Sequence, residues 1–416
     1  MEAAKMGGYY SNALFTISAV SASGGHCGIF SERDPRERSP CPVSLLFPKS
    51  DHVGGHHGAR GAYSNMLSGF IHPSSEWDSS LDTYQYPAHR PPLWKRAWVV
   101  QERILSPRLL MFSKAQMSWL CRTVRFSECI PQSSLRKRNS SKEEREIQKA
   151  LIGLREPSLP GIERHGTQQQ LYDGWYDLVA QYTKCGLTVK SDIFPAISGI
   201  ASTIARALPD DYFMAGLWKR DLHRGLLWSV VDSTKRMADL RSYRAPSWSW
   251  ASLPGTCGFT CRQIMLSDLD VGVLKISSVE MSVDERNPFG EVKSGILRVV
   301  GRLKRAHPAG QDDKERDPAF AILGKQSSGE DLYDLETQTP LGWYMADNQD
   351  RANISEIWCM PVLLSDWGTE SQMWHCLAMV ELPTGSINRT FMRVGMAWVK
   401  DPGWVDGIQE EAFSIF

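Results

Sequence analysis

Apolar residues recur at two different spacings along the chain, and each spacing predicts a different kind of structure. From about residue 140 to 227 they recur every three or four positions, which is typical of helices that bury one face. One predicted helix carries five such residues on a single face, and Gly186 supplies its stop signal. These five residues are Leu171, Trp175, Leu178, Val179 and Tyr182.

Two further helices are predicted from similar patterns. Ser141 and Glu144 form a capping-box pattern ahead of an apolar stripe that runs from residue 147 to 154. A third helix follows Asp192 and ends before Pro209. Its apolar face consists of Ile197, Ile200, Ala201, Ile204 and Leu208. Core packing is the simplest role for all three apolar faces.

Beyond Gly255 the spacing changes to a period of two, which is typical of β-strands with one buried face. The predicted strands cover residues 279–283, 297–303, 357–364, 375–382 and 392–398. Two charged segments that contain Gly or Ser, 310–317 and 324–336, are predicted to be loops. The pattern therefore predicts an antiparallel sandwich or a barrel-like C-terminal part.

The N-terminal part mixes short apolar runs with loops. The run from Leu14 to Val20 predicts a buried strand, which is favoured over a signal peptide because no basic cluster precedes it. The stretch from His52 to Gly58 holds three histidines and little apolar content, and Asp51 is the nearest carboxylate. A flexible insertion is predicted there, and no metal site.

Composition and charge narrow the classes of function. The 416 residues include 47 Lys and Arg against 47 Asp and Glu, so the formal net charge is zero and no nucleic-acid partner is expected. No apolar run approaches the roughly 18 residues that a membrane span needs. Nine scattered cysteines, an odd number, favour a reducing cytoplasm over a disulfide scaffold. Tryptophan is unusually frequent, with 15 residues against 14 Phe and 12 Tyr.

The densest group of distinctive residues lies between 91 and 108. A helix that starts near Lys95 would place Trp98, Gln101, Glu102 and Leu105 on one face. A hairpin with strands at 109–112 and 116–121 is predicted to follow, after Pro107 ends the helix.

Spacing alone favours a structural role for this helix, as an amphipathic element that covers a sheet. In that interpretation Glu102 pairs with Arg103, Arg108 or a backbone donor and has no catalytic role.

This segment resembles the heterokaryon incompatibility (HET) domain of filamentous fungi. The family shows a Pro-Leu-x-x-Arg-x-Trp-x-x-Gln-Glu-x-x-Leu-Ser-Pro-Arg block, followed by a Trp-x-Cys strand end. A segment after the domain resembles Pro246 to Ser252 of this chain. The matching motif residues are Arg96, Trp98, Gln101, Glu102, Leu105, Ser106, Pro107, Arg108, Trp119, Cys121, Pro246, Trp248 and Trp250.

The resemblance implies a fold and an order of domains. Residues 1–131 are expected to form an α/β partial HET domain that is distantly similar to Toll/interleukin-receptor (TIR) domains. A linker and helix over 132–165, a helical region over 166–256 and a β-rich antiparallel region over 257–416 are expected to follow. Two segments that begin the family domain have no counterpart before Met6, so the HET domain is expected to be N-terminally incomplete.

The resemblance also implies a function. It indicates a cytoplasmic fungal protein of allorecognition, that is heterokaryon incompatibility, and of programmed cell death. Such a protein would act through protein partners or through an effector activity of the complete domain. No cofactor, metal or membrane span is expected, and no catalytic residue is assigned.

Two other functions stay open at this stage. Some TIR domains cleave NAD with a glutamate, for which Glu102 is the candidate in this chain. Alternatively, Trp248, Trp250, Trp343 and Tyr344 suggest a carbohydrate-binding module, which needs exposed, coplanar rings. The competing interpretation treats seven tryptophans as core anchors: Trp98, Trp119, Trp175, Trp218, Trp228, Trp248 and Trp250.

Overall fold

The structure is a computed structural model, and it divides into two compact units. The large unit comprises Met1–Asn12, Lys95–Leu105 and Lys142–Phe416, and the small unit comprises Ala13–Trp94 and Ser106–Ser141. The domain limits at 131, 165 and 256 stay predictions. The described residues are 2–32, 41–47, 65–71, 91–114, 116–121, 124–128, 168–230, 243–259, 274–308, 330–347, 354–366, 372–383 and 388–416.

The large unit contains five described α-helices. They are α1 (Glu2–Asn12), α2 (Ala97–Leu105), α3 (Gln168–Tyr182), α4 (Ser198–Ala205) and α5 (Leu222–Gly225). Helix α3 confirms the prediction in detail, because all five residues of its apolar face are buried. The helix predicted over 141–154 lies outside the described residues.

The third predicted helix is broken, and this prediction was wrong in its extent. Two 3₁₀ turns, Lys190–Ile193 and Pro195–Ile197, precede the α-helix that starts at Ser198. Proline disfavours the α conformation at the residue before it and lacks an N–H, so Pro195 interrupts a continuous helix. The apolar face is nevertheless buried as predicted, from Ile197 to Leu208.

The small unit is built on a four-stranded sheet. Its strands are β1 (Thr16–Ser18), β4 (Arg108–Phe112), β5 (Met117–Cys121) and β6 (Arg125–Ser127), in that order, with β2 (Cys41–Phe47) and β3 (Asn65–Ile71) in a separate hairpin. β1 runs parallel to β4, and the other pairs are antiparallel. The predicted hairpin after Pro107 is confirmed as β4 and β5.

One expectation for this unit fails. The run from Leu14 to Val20 forms only a three-residue strand, and its side chains are not buried as a set. Leu14 and Ile17 are 73% and 55% exposed, whereas Val20 is buried.

Three antiparallel pairs of neighbouring strands accompany the helices of the large unit and its β-rich part. They are β7 (Phe213–Met214) with β8 (Leu217–Trp218), β9 (Trp228–Val230) with β10 (Cys257–Phe259), and β11 (Lys275–Val283) with β12 (Val292–Gly301). The last pair opens a nine-stranded sheet that continues through β13 (Lys304–Pro308), β14 (Glu330–Asp334), β15 (Pro340–Ala346), β16 (Ile357–Asp366), β17 (Gln372–Glu381), β18 (Thr390–Val399) and β19 (Glu411–Ile415).

Six of these strands close into a barrel. β18 pairs with β15 on one side and with β17 on the other, so the order β18-β15-β14-β13-β16-β17 returns to its starting strand. Each of the six strands contributes to one apolar cluster, which Trp404 and Val405 join from a 3₁₀ turn at Pro402–Val405. The barrel is therefore filled with side chains. Of the two architectures predicted for this part, a sandwich or a barrel, the structure has the barrel.

The charged segment 324–336 was wrongly predicted to be a loop throughout. It contains β14, in which Glu330 and Asp334 are buried charged residues. The Asp334 carboxylate can be buried because it accepts hydrogen bonds from the Trp404 indole and from two backbone N–H groups, and because it pairs with Lys304 at 2.9 Å.

Among the described helices, none is both long and apolar enough to cross a bilayer.

Candidate functional site around helix α2

Helix α2 carries Trp98, Gln101, Glu102 and Leu105 of the motif, and its start is attached to the segment that follows α3. The N–H of Ala97 donates to the carbonyl of Gly186 at 3.0 Å, and the N–H of Gly186 donates to the carbonyl of Lys95 at 2.7 Å. The glycine that was predicted to stop α3 therefore also positions the first turn of α2. At the other end Ser106 precedes Pro107, which favours extended backbone and ends the helix.

Trp98 and Gln101 join α2 to the segment that precedes and begins α4. The Trp98 indole N–H donates to Asp192 Oδ2 at 3.1 Å. Gln101 is fully buried, and its Oε1 accepts the backbone N–H of Gly199 at 2.7 Å. This bond supplies a partner for a backbone donor in the first turn of α4, where donors have no intrahelical partner.

Gly199 also allows α1 and α4 to touch. A Cβ on Gly199 would lie 2.6 Å from the Cα of Gly7 and 2.6 Å from Gln101 Oε1, and a Cβ on Gly7 would lie 2.7 Å from the Cα of Gly199. Only glycine fits at these two positions without movement of the backbone. Three segments that are distant in sequence therefore meet at Gly199.

Glu102 is the acidic residue of helix α2. Its carboxylate is half-buried, accepts a hydrogen bond from Tyr10 of α1 and lies near the positive charge of Arg96. Burial raises the pKa of Glu102, while Tyr10 and Arg96 oppose that rise. Burial and the nearby carboxylate in turn raise the pKa of Tyr10 to about 12. The Glu102 carboxylate is thus fixed by a hydrogen bond from the Tyr10 hydroxyl, and a carboxylate fixed in this way is suited to stabilising a nearby cation.

The other motif residues of this block have structural positions. Leu105 is buried, and Ser106 and Thr16 share a hydroxyl hydrogen bond of 2.7 Å in the small unit. Arg108 donates to the carbonyl of Leu14 at 3.1 Å. Trp119 and Cys121 lie on β5 and are partly buried. The structure therefore brings together Arg96, Trp98, Gln101, Glu102 and Leu105 in the large unit. The small unit contains the next motif residues, which are Ser106, Pro107, Arg108, Trp119 and Cys121.

The second motif segment, around Trp248 and Trp250, lies in the core of the large unit. The indole N–H groups of Trp250 and Trp175 both donate to the carbonyl of Gly216, at 3.0 and 2.8 Å. The Trp228 indole donates to the carbonyl of Trp248 at 2.9 Å. All four of these tryptophans are buried. Core anchoring is therefore confirmed for them, and for Trp218, while Trp98 and Trp119 are only partly buried.

The exposed, coplanar rings that a carbohydrate module requires are not found at the predicted positions. Trp248, Trp250 and Tyr344 are buried, and Trp343 is partly buried beneath Lys400, whose Nζ lies 4.7 Å from the ring centroid. The carbohydrate hypothesis was wrong about these residues. Among the tryptophans after Trp343 that the structure describes, Trp374, Trp398 and Trp404 are buried as well.

Arg393, which matches the closing strand of the resembled family, is fully buried, and neither its burial nor its partners were predicted from the sequence. Its guanidinium bonds Asp347 through Nε at 3.1 Å and Nη2 at 3.2 Å, and it donates to the carbonyls of Leu226, at 2.6 Å, and of Trp228. The guanidinium carbon lies 3.5 Å from the centroid of the Trp228 ring. The available signal was a single arginine inside an otherwise apolar strand, β18.

A second buried charge cluster was also missed. Arg224 pairs with Asp221 at 3.2 Å and with Asp173 at 2.5 Å, and the Tyr176 hydroxyl donates to Asp221 at 2.7 Å. Burial raises the pKa of Asp221 to about 6, although Arg224 and Tyr176 lower it. The cluster joins α3 to α5 and to the turn that precedes α5, and Asp173 at its edge is 38% exposed.

No protein-family model, curated protein or solved structure matches the chain. Among the described residues, no three His, Cys, Asp or Glu side chains are grouped so that they could hold a metal ion. The histidines at 52, 56 and 57 lie outside the described residues.

Proposed function

We propose that the chain is a cytoplasmic protein of the fungal heterokaryon incompatibility type, which takes part in non-self recognition and programmed cell death through protein partners. The proposal is supported by one observation above all. The motif residues of α2 contact different segments: Trp98 contacts Asp192, Gln101 contacts Gly199, and Glu102 contacts Tyr10. The motif thus serves to assemble a surface from distant parts of the chain.

Such an arrangement suits recognition more than turnover. Gln101 and Leu105 are buried, and Trp98 and Glu102 are each held by a hydrogen bond. A helix whose side chains are fixed in this way presents a rigid surface, and rigid surfaces bind partners with a smaller loss of conformational entropy.

Inducible expression in a filamentous fungus tests the proposal. We expect the wild-type chain to arrest growth and kill cells, and Gln101→Ala to lose this effect because α4 loses the bond to Gly199. Gln409→Ala is the matched control, because Gln409 is an exposed glutamine outside the site. All three chains are compared at equal levels of soluble protein. Normal growth of cells that accumulate the wild-type chain would contradict the proposal.

A second candidate function is NAD cleavage, and the surroundings of Glu102 favour it. Cleavage of the nicotinamide bond needs a carboxylate beside an oxocarbenium-like centre, and Glu102 is half-buried and held by Tyr10. The test is nicotinamide release from NAD, with Glu102→Gln expected to abolish it and Glu336→Gln, an exposed control, to leave it unchanged. Absence of release by the wild-type chain, under conditions where a TIR enzyme is active, excludes this candidate.

A further inference from the structure

Two arginines of the large unit show the usual arrangement of a guanidinium that is withdrawn from water. The fully buried Arg393 pairs with Asp347 at 3.1 Å, and Arg389, which is 27% exposed, pairs with Glu381 at 2.8 Å. An arginine stays charged at any ordinary pH, so a guanidinium that leaves water needs a negative group beside it. A carboxylate is therefore the partner expected beside any other partly buried arginine of this unit.

Arg244 departs from this arrangement. Its side chain is partly buried, and its Nε is closed off from solvent without a hydrogen-bond partner. Among the described residues, no carboxylate pairs with its guanidinium, and Tyr182 is the titratable group whose charge would act on it. Burial raises the pKa of Tyr182 well above its ordinary value, so this phenol carries no charge at neutral pH. The positive charge of Arg244 is thus not compensated by the described part of the chain.

Two further observations concern the surroundings of this guanidinium. Burial lowers the pKa of Arg244, which is the direction expected for a cation that has left water without gaining a negative neighbour. The Tyr182 hydroxyl is also not available as an acceptor that faces Arg244, because it donates to the carbonyl of Ile193 at 2.6 Å. The N–H groups of Arg244 therefore need an acceptor from outside the described residues.

The backbone next to Arg244 is fixed by hydrogen bonds. The N–H of Ser247 donates to the carbonyl of Phe416 at 2.9 Å, and the Ser249 hydroxyl donates to the carbonyl of Ala215 at 2.6 Å. These bonds hold the second motif segment, which begins two residues after Arg244. A guanidinium on a fixed segment binds a ligand with a smaller loss of conformational entropy than one on a flexible loop.

We propose that Arg244 is the binding residue of an oxyanion site, which takes a phosphate or carboxylate group of a ligand that is not part of this chain. The planar guanidinium offers a fork of N–H donors that matches two oxygens of such a group, and the ligand supplies the negative charge that Arg244 lacks. The site is independent of the function proposed above, because neither Glu102 nor its contacts take part in it.

The first test compares the stability of the full wild-type chain in different anions. Thermal unfolding is followed by tryptophan fluorescence in inorganic phosphate, acetate or chloride at one ionic strength, so that general screening is equal. We expect phosphate or acetate to raise the melting temperature above that in chloride. At ten times its dissociation constant, a bound anion shifts the folding equilibrium about 11-fold. A rise with phosphate alone indicates a phosphate ligand, and a rise with acetate alone indicates a carboxylate ligand.

The second test removes the guanidinium. Phosphate also stabilises folded proteins without any specific site, and Arg244→Met measures that general part of the shift. This variant keeps most of the aliphatic side chain and should lose the remaining part of the shift. Arg206→Met is the matched control, because Arg206 is an exposed arginine of the same unit that bonds the Thr203 hydroxyl at 3.0 Å. It should respond to each anion as the wild type does.

The same variant separates an anion site from an arginine that holds the fold together. In chloride, Arg244→Met should melt no lower than the wild type, because it removes a charge that has no partner to lose. An arginine with a structural partner would behave in the opposite way, since its removal leaves a buried acceptor or charge unpaired.

Two results would overturn the proposal. One is an equal response of the wild type and Arg244→Met to all three anions, which would mean that no oxyanion binds at this guanidinium. The other is an Arg244→Met chain that melts well below the wild type in chloride, or does not fold, which would give Arg244 a structural role. Both readouts use the purified chain without fungal cells or NAD, so they do not depend on whether the proposed function is correct.

Discussion

Replacing Arg393 by methionine keeps most of the aliphatic length of the side chain but removes a guanidinium that solvent does not reach. The side chains of Arg393 and Asp347 are 0% and 1% exposed. The variant leaves the Asp347 carboxylate buried without its cation. Removal of one partner from a buried ion pair costs about 3–5 kcal/mol.

The same substitution removes two further interactions. The carbonyls of Leu226 and Trp228 lose a charged donor, and hydrogen bonds to charged groups contribute roughly 1.5–3 kcal/mol each. The Trp228 ring also loses the cation above it. These contributions overlap because one group makes all of them, so we expect a total loss of about 4–6 kcal/mol in the free energy of unfolding.

Urea unfolding followed by tryptophan fluorescence measures this loss. Arg298→Met is the comparison, because Arg298 is 40% exposed and pairs with the exposed Glu280, so its loss should cost less than about 1 kcal/mol. A third variant, Arg393→Met with Asp347→Leu, removes both charges and should recover at least half of the stability that Arg393→Met loses.

Either of two outcomes would contradict a decisive role for the buried ion pair. If Arg393→Met costs no more than Arg298→Met, then burial does not decide the strength of the pair. If the double variant is no more stable than Arg393→Met alone, then the Asp347 carboxylate that has lost Arg393 is not the source of the loss.

Two other predictions concern packing and pH. Gly199→Ala should lower the free energy of unfolding by about 1–3 kcal/mol, because the added methyl group would overlap Gly7 and Gln101. Gly8→Ala, whose methyl group would meet nothing within 4 Å, should stabilise α1 by roughly 0.5–1 kcal/mol. Equal shifts of the melting temperature in the two variants would contradict this. Burial lowers the pKa of His375 to about 4, so below its ordinary value of 6.5 the unfolded chain binds a proton that the folded chain does not. Stability should therefore fall as pH drops from about 6.5 to 4, by up to roughly 3 kcal/mol from this residue, and His375→Leu should flatten that part of the pH profile of unfolding.

Local patterns predicted the helices and strands whose apolar residues follow one spacing without interruption. Helix α3 is the clearest case, because its five spaced residues are all buried. The pattern failed where a single residue changes the backbone, as at Pro195, or where charge is buried, as in β14. Burial of Asp334 depends on Lys304 and Trp404, which are 30 and 70 residues away, and no local spacing reveals such partners.

The site around α2 shows the same division. The spacing of Trp98, Gln101, Glu102 and Leu105 correctly predicted a helix, although Val99, Val100 and Ile104, outside the predicted face, are buried as well. It did not predict that Gln101 bonds Gly199, because the two residues are 98 positions apart and the glycine was only part of a presumed helix. Pairing of Glu102 with Tyr10 likewise depends on how α1 packs, which periodicity does not specify.

The high tryptophan content has a physical reason in the way the large unit is built. Irregular segments at Ala215-Gly216 and Pro246–Ser249 pass through its core, where their carbonyls have no strand partner and need another donor. An indole fills a core position and also donates one hydrogen bond, which Phe and Leu cannot do. Gly216 accepts from two indoles, and its positive φ of 91° turns that carbonyl into the core. Further indoles that donate to buried or partly buried acceptors in the same unit are those of Trp228, Trp374 and Trp404. Each of these five residues is therefore both core volume and hydrogen-bond donor, whereas the buried indoles of Trp218, Trp248 and Trp398 have no hydrogen-bond partner among the described residues and contribute volume alone.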